Sequence, residues 1–134
     1  MAGKCLTPPE ADARLPLVRA VTADATALST RLSAAQAAYR VEKTRPLPSQ
    51  LVLNERRREI DGTRAALELC AAELASADAE HGDASRGIVD FRSELDGAPV
   101  LLCWRLGEPR VEHFHAEDES HERRRPLPVP VHAG

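Results

Sequence analysis

Apolar positions recur at helical spacing through the first half of the chain and alternate through the second. Leu15, Val18, Val21, Ala25, Leu28, Leu32, Ala35 and Tyr39 succeed one another at steps of three and four, which lines them up along one face of a helix. Ahead of them, Thr7-Pro8-Pro9-Glu10 carries the parts of a helix start: a capping hydroxyl, proline in the first turn, and a glutamate three residues past the cap. The pattern predicts a first helix over residues 7–40. Pro16 falls inside it, and its missing N–H predicts a kink in the second or third turn. A break there, with the long helix starting later, is the alternative.

Thr44 to Ser49, with Pro46 and Pro48, interrupts the pattern and reads as a turn or short extended link. Leu53, Ile60, Leu67 and Leu74 then recur every seven residues, with Thr63, Cys70 and Ala77 as a smaller companion row. That is a coiled-coil seam, and it predicts a second helix over residues 49–80. Two helices of about thirty residues on a short link make an antiparallel hairpin roughly 45 Å long. One hairpin leaves apolar faces of both helices bare, so a homodimer paired as a four-helix bundle is expected. Cover by the sheet and tail of the same chain is the alternative.

After His81-Gly82-Asp83 the period changes to alternation. Ile88 to Arg92 reads as a strand, Asp96-Gly97 as a hairpin turn, and Val100 to Trp104 as a central strand apolar on both faces. Leu106 to Pro109 turns the chain, and Val111 to His115 returns it. The predicted architecture is α+β in a single domain over residues 1–134. The long helical hairpin carries a three-stranded antiparallel meander over residues 87–116 and an extended tail over residues 117–134. Within the tail, Pro126-Leu127-Pro128-Val129-Pro130 is polyproline-like.

Composition narrows this picture. The 134 residues fit one domain with a modest core. Alanine supplies much of the 43% apolar content and only four residues are aromatic, so the helices must pack closely to bury enough area. The net charge of −3 is unevenly placed. Residues 40–64 carry seven basic and four acidic groups, whereas residues 65–122 carry four basic against fourteen acidic. An acidic body repels phosphate backbones and argues against a general nucleic-acid binder. The basic run Arg56-Arg57-Arg58, with Arg40, Lys43 and Arg45, decorates the hairpin tip and reads as a solvated charged face. Cys5, Cys70 and Cys103 lack metal-type spacing and read as reduced thiols, the latter two as small core residues. No apolar run approaches the roughly 20 residues of a membrane span, and Met1-Ala2-Gly3-Lys4 does not open a signal peptide. A cytoplasmic protein without membrane contact is the expectation.

Several stretches together resemble a bacterial protein family, the domain-of-unknown-function family 2203. They are Leu6-Thr7-Pro8-Pro9-Glu10-Ala11, Gly87-Ile88-Val89-Asp90-Phe91, Leu102-Cys103-Trp104-Arg105-Leu106-Gly107-Glu108-Pro109, Phe114-His115 and Arg124-Arg125-Pro126-Leu127. Asp90, Trp104, Gly107, Glu108, His115 and Arg125 stand where that family's pattern places the same residues, while Phe114 stands where tryptophan is common. His113 is outside the pattern. The family is described as uncharacterised, so the resemblance implies an architecture and leaves the activity blank.

Chemistry concentrates at the end of the meander. His113 and His115 are two apart on a strand and so point to one face. With Glu108 and Glu119 in chain reach, they could hold a divalent transition metal such as zinc, iron or nickel. The spacing of Gly107, His113, His115 and Glu119 matches half of a cupin metal motif, but a cupin needs a jelly roll of about eight strands. Alternatively, Asp90, Glu108, His115 and Arg125 form one metal-free polar network that staples strands and tail together. No nucleophile motif and no Gly-rich phosphate loop is present, so enzyme activity is left open. Two readings therefore stand: a non-enzymatic binding or scaffold protein that self-associates through its hairpin, and a small metal-binding protein or metal-dependent enzyme.

Overall fold

The computed structural model of the protein describes residues 3–128. The end of the predicted tail, from Val129 onward, lies outside them. Helix α1 spans Pro8–Lys43. Its start is a reciprocal cap: the Thr7 hydroxyl accepts from the Glu10 N–H at 3.3 Å, and Glu10 accepts from the Thr7 N–H at 2.8 Å. The helix continues through Pro16 without a break and runs 36 residues, three beyond the expected end at residue 40. Glu42 fixes the path of the chain beyond it. Its buried carboxylate accepts from the Ser49 N–H at 2.8 Å and from Arg45 at 3.2 Å, which closes the link between the helices.

Helix α2 spans Gln50–Ser76, with the Ser49 hydroxyl capping the Val52 N–H. Pairs running down the hairpin set the helices antiparallel: Glu42 with Ser49, Tyr39 with Arg57, and Arg14 with Asp78 beyond the end of α2. The second helix ends four residues short of the predicted residue 80. Asp78 takes the left-handed conformation, φ 59°, and its carboxylate accepts from Arg14 at 2.9 Å and from the Lys4 N–H at 3.2 Å. Those two anchors hold a conformation that a non-glycine residue rarely adopts, and the helix cannot pass it.

The sheet has five strands where the sequence predicts three. They are β1 Ala79–Asp83, β2 Ile88–Leu95, β3 Ala98–Arg105, β4 His113–Ala116 and β5 Arg125–Pro126, paired antiparallel in chain order. Only Ala79 and Glu80 of β1 favour a helix; His81, Gly82 and Asp83 do not, and the segment pairs with β2 instead. β5 is two residues of the predicted extended tail, drawn onto the open edge of β4. Asp96 and Gly97 both have positive φ and form the two-residue turn between β2 and β3.

Alternation divides the sheet into two faces. Val89, Phe91, Leu102, Trp104 and Phe114 lie on the face packed against Leu15, Val18 and Val21 of α1 and Leu74 of α2. Trp104 is fully buried, with the Arg19 guanidinium 5.9 Å above its ring and its indole N–H donating to the Glu108 carbonyl at 3.0 Å. The same chain thus covers the first half of the α1 stripe, while Leu28, Leu32 and Tyr39 nearer the tip are half-buried. No helix among the described residues is long and apolar enough to cross a membrane.

Candidate metal centre

The opposite face of the sheet is polar. Two-residue turn geometry fixes its register: Leu95 pairs with Ala98, so counting back sets Asp90 opposite Cys103. On the next pair Cys103 faces His113, and Leu101 faces His115. Asp90, Cys103 and His115 converge here, with one ligand atom of each within 4.8 Å of the others. All three are buried, at 7%, 0% and 2% exposure.

His115 is held in one orientation. Its Nδ1 lies 2.8 Å from the carbonyl oxygen of Ala116, and a carbonyl only accepts, so Nδ1 carries a proton. Nε2 then points at Asp90 Oδ1, 3.4 Å away. That separation is long for a hydrogen bond, whose usual length is about 2.9–3.0 Å. It matches the spacing of oxygen and nitrogen ligands around a tetrahedral zinc ion, about 3.3 Å for bonds of about 2.0–2.1 Å. A backbone carbonyl that orients an imidazole in this way is a usual support of metal-bound histidine.

Electrostatics marks the same three groups. Burial pushes the Asp90 carboxyl above its ordinary range, opposed in part by His115. Burial also pushes the Cys103 thiol up to about 11, reinforced by Asp90. Without a cation, this cluster holds acids that resist ionising; a divalent cation reverses that preference by binding the ionised forms. Gly82 of β1 makes room beside it. A Cβ there would stand 2.9 Å from Asp90 Oδ2 and 3.0 Å from Ile88 Cγ2.

The other residues singled out in the sequence go elsewhere. Glu108 is gripped by Arg124 through two contacts of 3.0 and 2.7 Å, and also accepts from the Arg105 N–H at 2.8 Å. Burial alone would raise the Glu108 carboxyl, but Arg124 and that N–H outweigh it and hold the group below its ordinary value. His113 Nδ1 lies 3.6 Å from Glu108 Oε2. Glu119 accepts from the Ala116 N–H at 2.9 Å and from Arg125 at 3.0 Å, and the Arg125 guanidinium sits 5.0 Å above the Phe114 ring. The four-membered network expected from the sequence is thus divided into an Asp90–His115 contact, a Glu108–Arg124 pair and an Arg125–Glu119 pair. Of the expected ligands, His115 alone belongs to the three-residue cluster.

Sequence reasoning missed Cys103, which sits in an apolar run and reads there as core. The signal that reveals it is the Asp96-Gly97 turn: two loop residues dictate the register, and the register puts the thiol opposite Asp90. Arg124, rather than its neighbour Arg125, holds Glu108, which spacing alone does not distinguish.

No curated protein and no solved structure matches the chain. A family model described as an uncharacterized conserved protein does match, over residues 4–127, nearly the full length of the chain. The protein therefore belongs to the uncharacterized conserved family DUF2203.

Proposed function

We propose that this protein binds a single divalent transition metal, with zinc the best fit, through Asp90, Cys103 and His115. The observation that carries the reading is the convergence of three buried ligand atoms of different chemistry within 4.8 Å, one of them an imidazole pre-oriented by a backbone carbonyl. Thiolate and imidazole favour zinc over magnesium or calcium, and three protein ligands leave one of four positions for an outside group. An open position is the arrangement of a metal that acts on a ligand, so the reading includes a metal-dependent activity without specifying its reaction.

Cobalt titration tests it directly. Cobalt(II) bound by a thiolate gives a near-ultraviolet charge-transfer band, and tetrahedral cobalt gives intense visible bands. Stoichiometric growth of both, loss of the ultraviolet band in Cys103→Ser, and displacement by zinc are the expected results. A folded protein that shows no band, or a band that Cys103→Ser leaves unchanged, overturns the reading.

Self-association through the hairpin is a second reading. It rests on large apolar side chains left exposed along the helices: Leu17, Val41, Leu51 and Leu69, the last three at 65% exposure or more. Sedimentation at micromolar concentration decides it. A dimer that Leu51→Glu with Leu69→Glu dissolves supports the reading, and a monomer rejects it.

A further inference from the structure

Beside the cluster, a cleft of about 380 Å³ opens on the same face of the sheet. Its floor is Ile88 and the buried Cys103, and its walls carry Arg86, Arg105 and Arg124. His121 and Glu122, from the short turn before β5, line the remaining side. The charge is out of keeping with the surroundings. Residues 65–122 hold only four basic groups against fourteen acidic ones, yet two of the four, Arg86 and Arg105, face this one cleft, where Arg124 from the adjoining segment joins them.

The three guanidiniums are not equally committed. Arg124 is neutralised by Glu108. Arg86 has Asp83 at 3.7 Å from its Nε and directs Nη1 at the His121 ring, 3.3 Å away. Arg105 has no carboxylate partner among the described residues, although its own N–H is held by Glu108. The Arg105 fork, which no carboxylate pairs among the described residues, and the Arg86 Nη1, which meets an imidazole, leave donors in the cleft for the oxygens of a ligand. We infer that this cleft binds a small organic anion, with a carboxylate or phosphate head held by Arg105 and Arg86 and a short carbon stem lying on Ile88. The volume suits a molecule of metabolite size and is too small for a polymer. Cys103 belongs to both the cleft and the three-residue cluster, so such an anion rests next to the proposed metal. The inference stands on the cleft alone and holds whether or not the metal reading does.

The test is an amide NMR titration of the full chain, freed of metal, at constant ionic strength. Inorganic phosphate and succinate are the probes, with sodium chloride as the control. Expected are saturable shifts at Ile88, Cys103 and Arg105 with at least one probe, and the tighter probe names the head group. Arg105→Gln weakens that binding tenfold or more, and Arg105→Lys, which keeps the charge but loses the fork, weakens it less. Arg105 is exposed, so both variants keep the fold. Shifts that never saturate with either probe, or that survive Arg105→Gln unchanged, overturn the inference. Because no metal is present, either result leaves the cobalt experiment to decide the metal site separately.

Discussion

Glu108 and Arg124 meet through two parallel contacts, Nη1 to Oε1 at 3.0 Å and Nη2 to Oε2 at 2.7 Å, each side chain about one-fifth exposed. The pair joins the turn after β3 to the segment before β5, and it closes the tail over the polar face of the sheet. Paired geometry of this kind, partly shielded from water, is worth more than a surface ion pair. A double-mutant cycle of Glu108→Ala and Arg124→Ala should give a coupling of about 1–2 kcal/mol in urea unfolding. Amide exchange should also accelerate at Leu127, whose N–H donates to the Glu112 carbonyl at 2.8 Å and which no longer has its anchor.

Metal-free protein should lose stability in alkali. The unfolded thiol of Cys103 ionises near its ordinary value of 9.0, while the folded thiol keeps its proton to about 11. Between those values the native state holds more protons than the unfolded state, so stability falls as pH rises and levels off above the folded value. At about 1.4 kcal/mol per pH unit the full loss is about 2–3 kcal/mol. Chemical unfolding of the wild type and of Cys103→Ala, compared across that window, should show this slope in the former and not the latter. Cys70 is also raised by burial and contributes equally to both, so the difference isolates Cys103.

Asp90 should trade stability against binding. Burial raises its carboxyl, so the unfolded state ionises first above 3.8 and stability declines as pH rises toward the folded value. Asp90→Asn removes that penalty while keeping the shape. Without metal the variant should be more stable than the wild type at neutral pH, and it should no longer take up cobalt or zinc. Thermal unfolding with and without zinc measures both halves; a variant less stable than the wild type in the absence of metal contradicts the prediction.

Gly82→Ala tests the space beside the cluster. The new methyl would meet the end of the Asp90 side chain at 2.9 Å and Ile88 at 3.0 Å, and the carboxylate is the group that can swing away. The fold should survive with a loss of about 1 kcal/mol or less, while metal affinity falls tenfold or more because Asp90 leaves its position. Equal affinity in Gly82→Ala and the wild type would show that the carboxylate is not a ligand.

The parts of the fold written in local pattern were legible in the sequence. The cap of α1 is in the order Thr7-Pro8-Pro9-Glu10, and the seven-residue spacing from Leu53 to Leu74 puts α2 in place. The β2–β3 hairpin comes from alternation and Asp96-Gly97. The features that escaped were written in distant contacts. β1 exists because Arg14 and the Lys4 N–H hold Asp78 in a left-handed turn, more than sixty residues away along the chain. β5 exists because the tail finds the free edge of β4. For the site, His115 and Asp90 were legible as polar residues in strands, whereas Cys103 was hidden by its apolar neighbours and Arg124 by standing beside two other arginines.

Val89 and Asp90 are chain neighbours that belong to opposite sides of the sheet, one in the oily interior and the other among ionisable groups. The pleat alone parts those two, but which β3 residue joins each of them, Trp104 or Cys103, depends on the count of residues at the bend between β2 and β3. Adding or deleting a single residue at Asp96-Gly97 would turn β3 over relative to β2, sending the thiol toward the helices and the indole away from them while the carboxylate kept its side. A bend whose own side chains do no chemistry is therefore the part of the molecule least free to change its length.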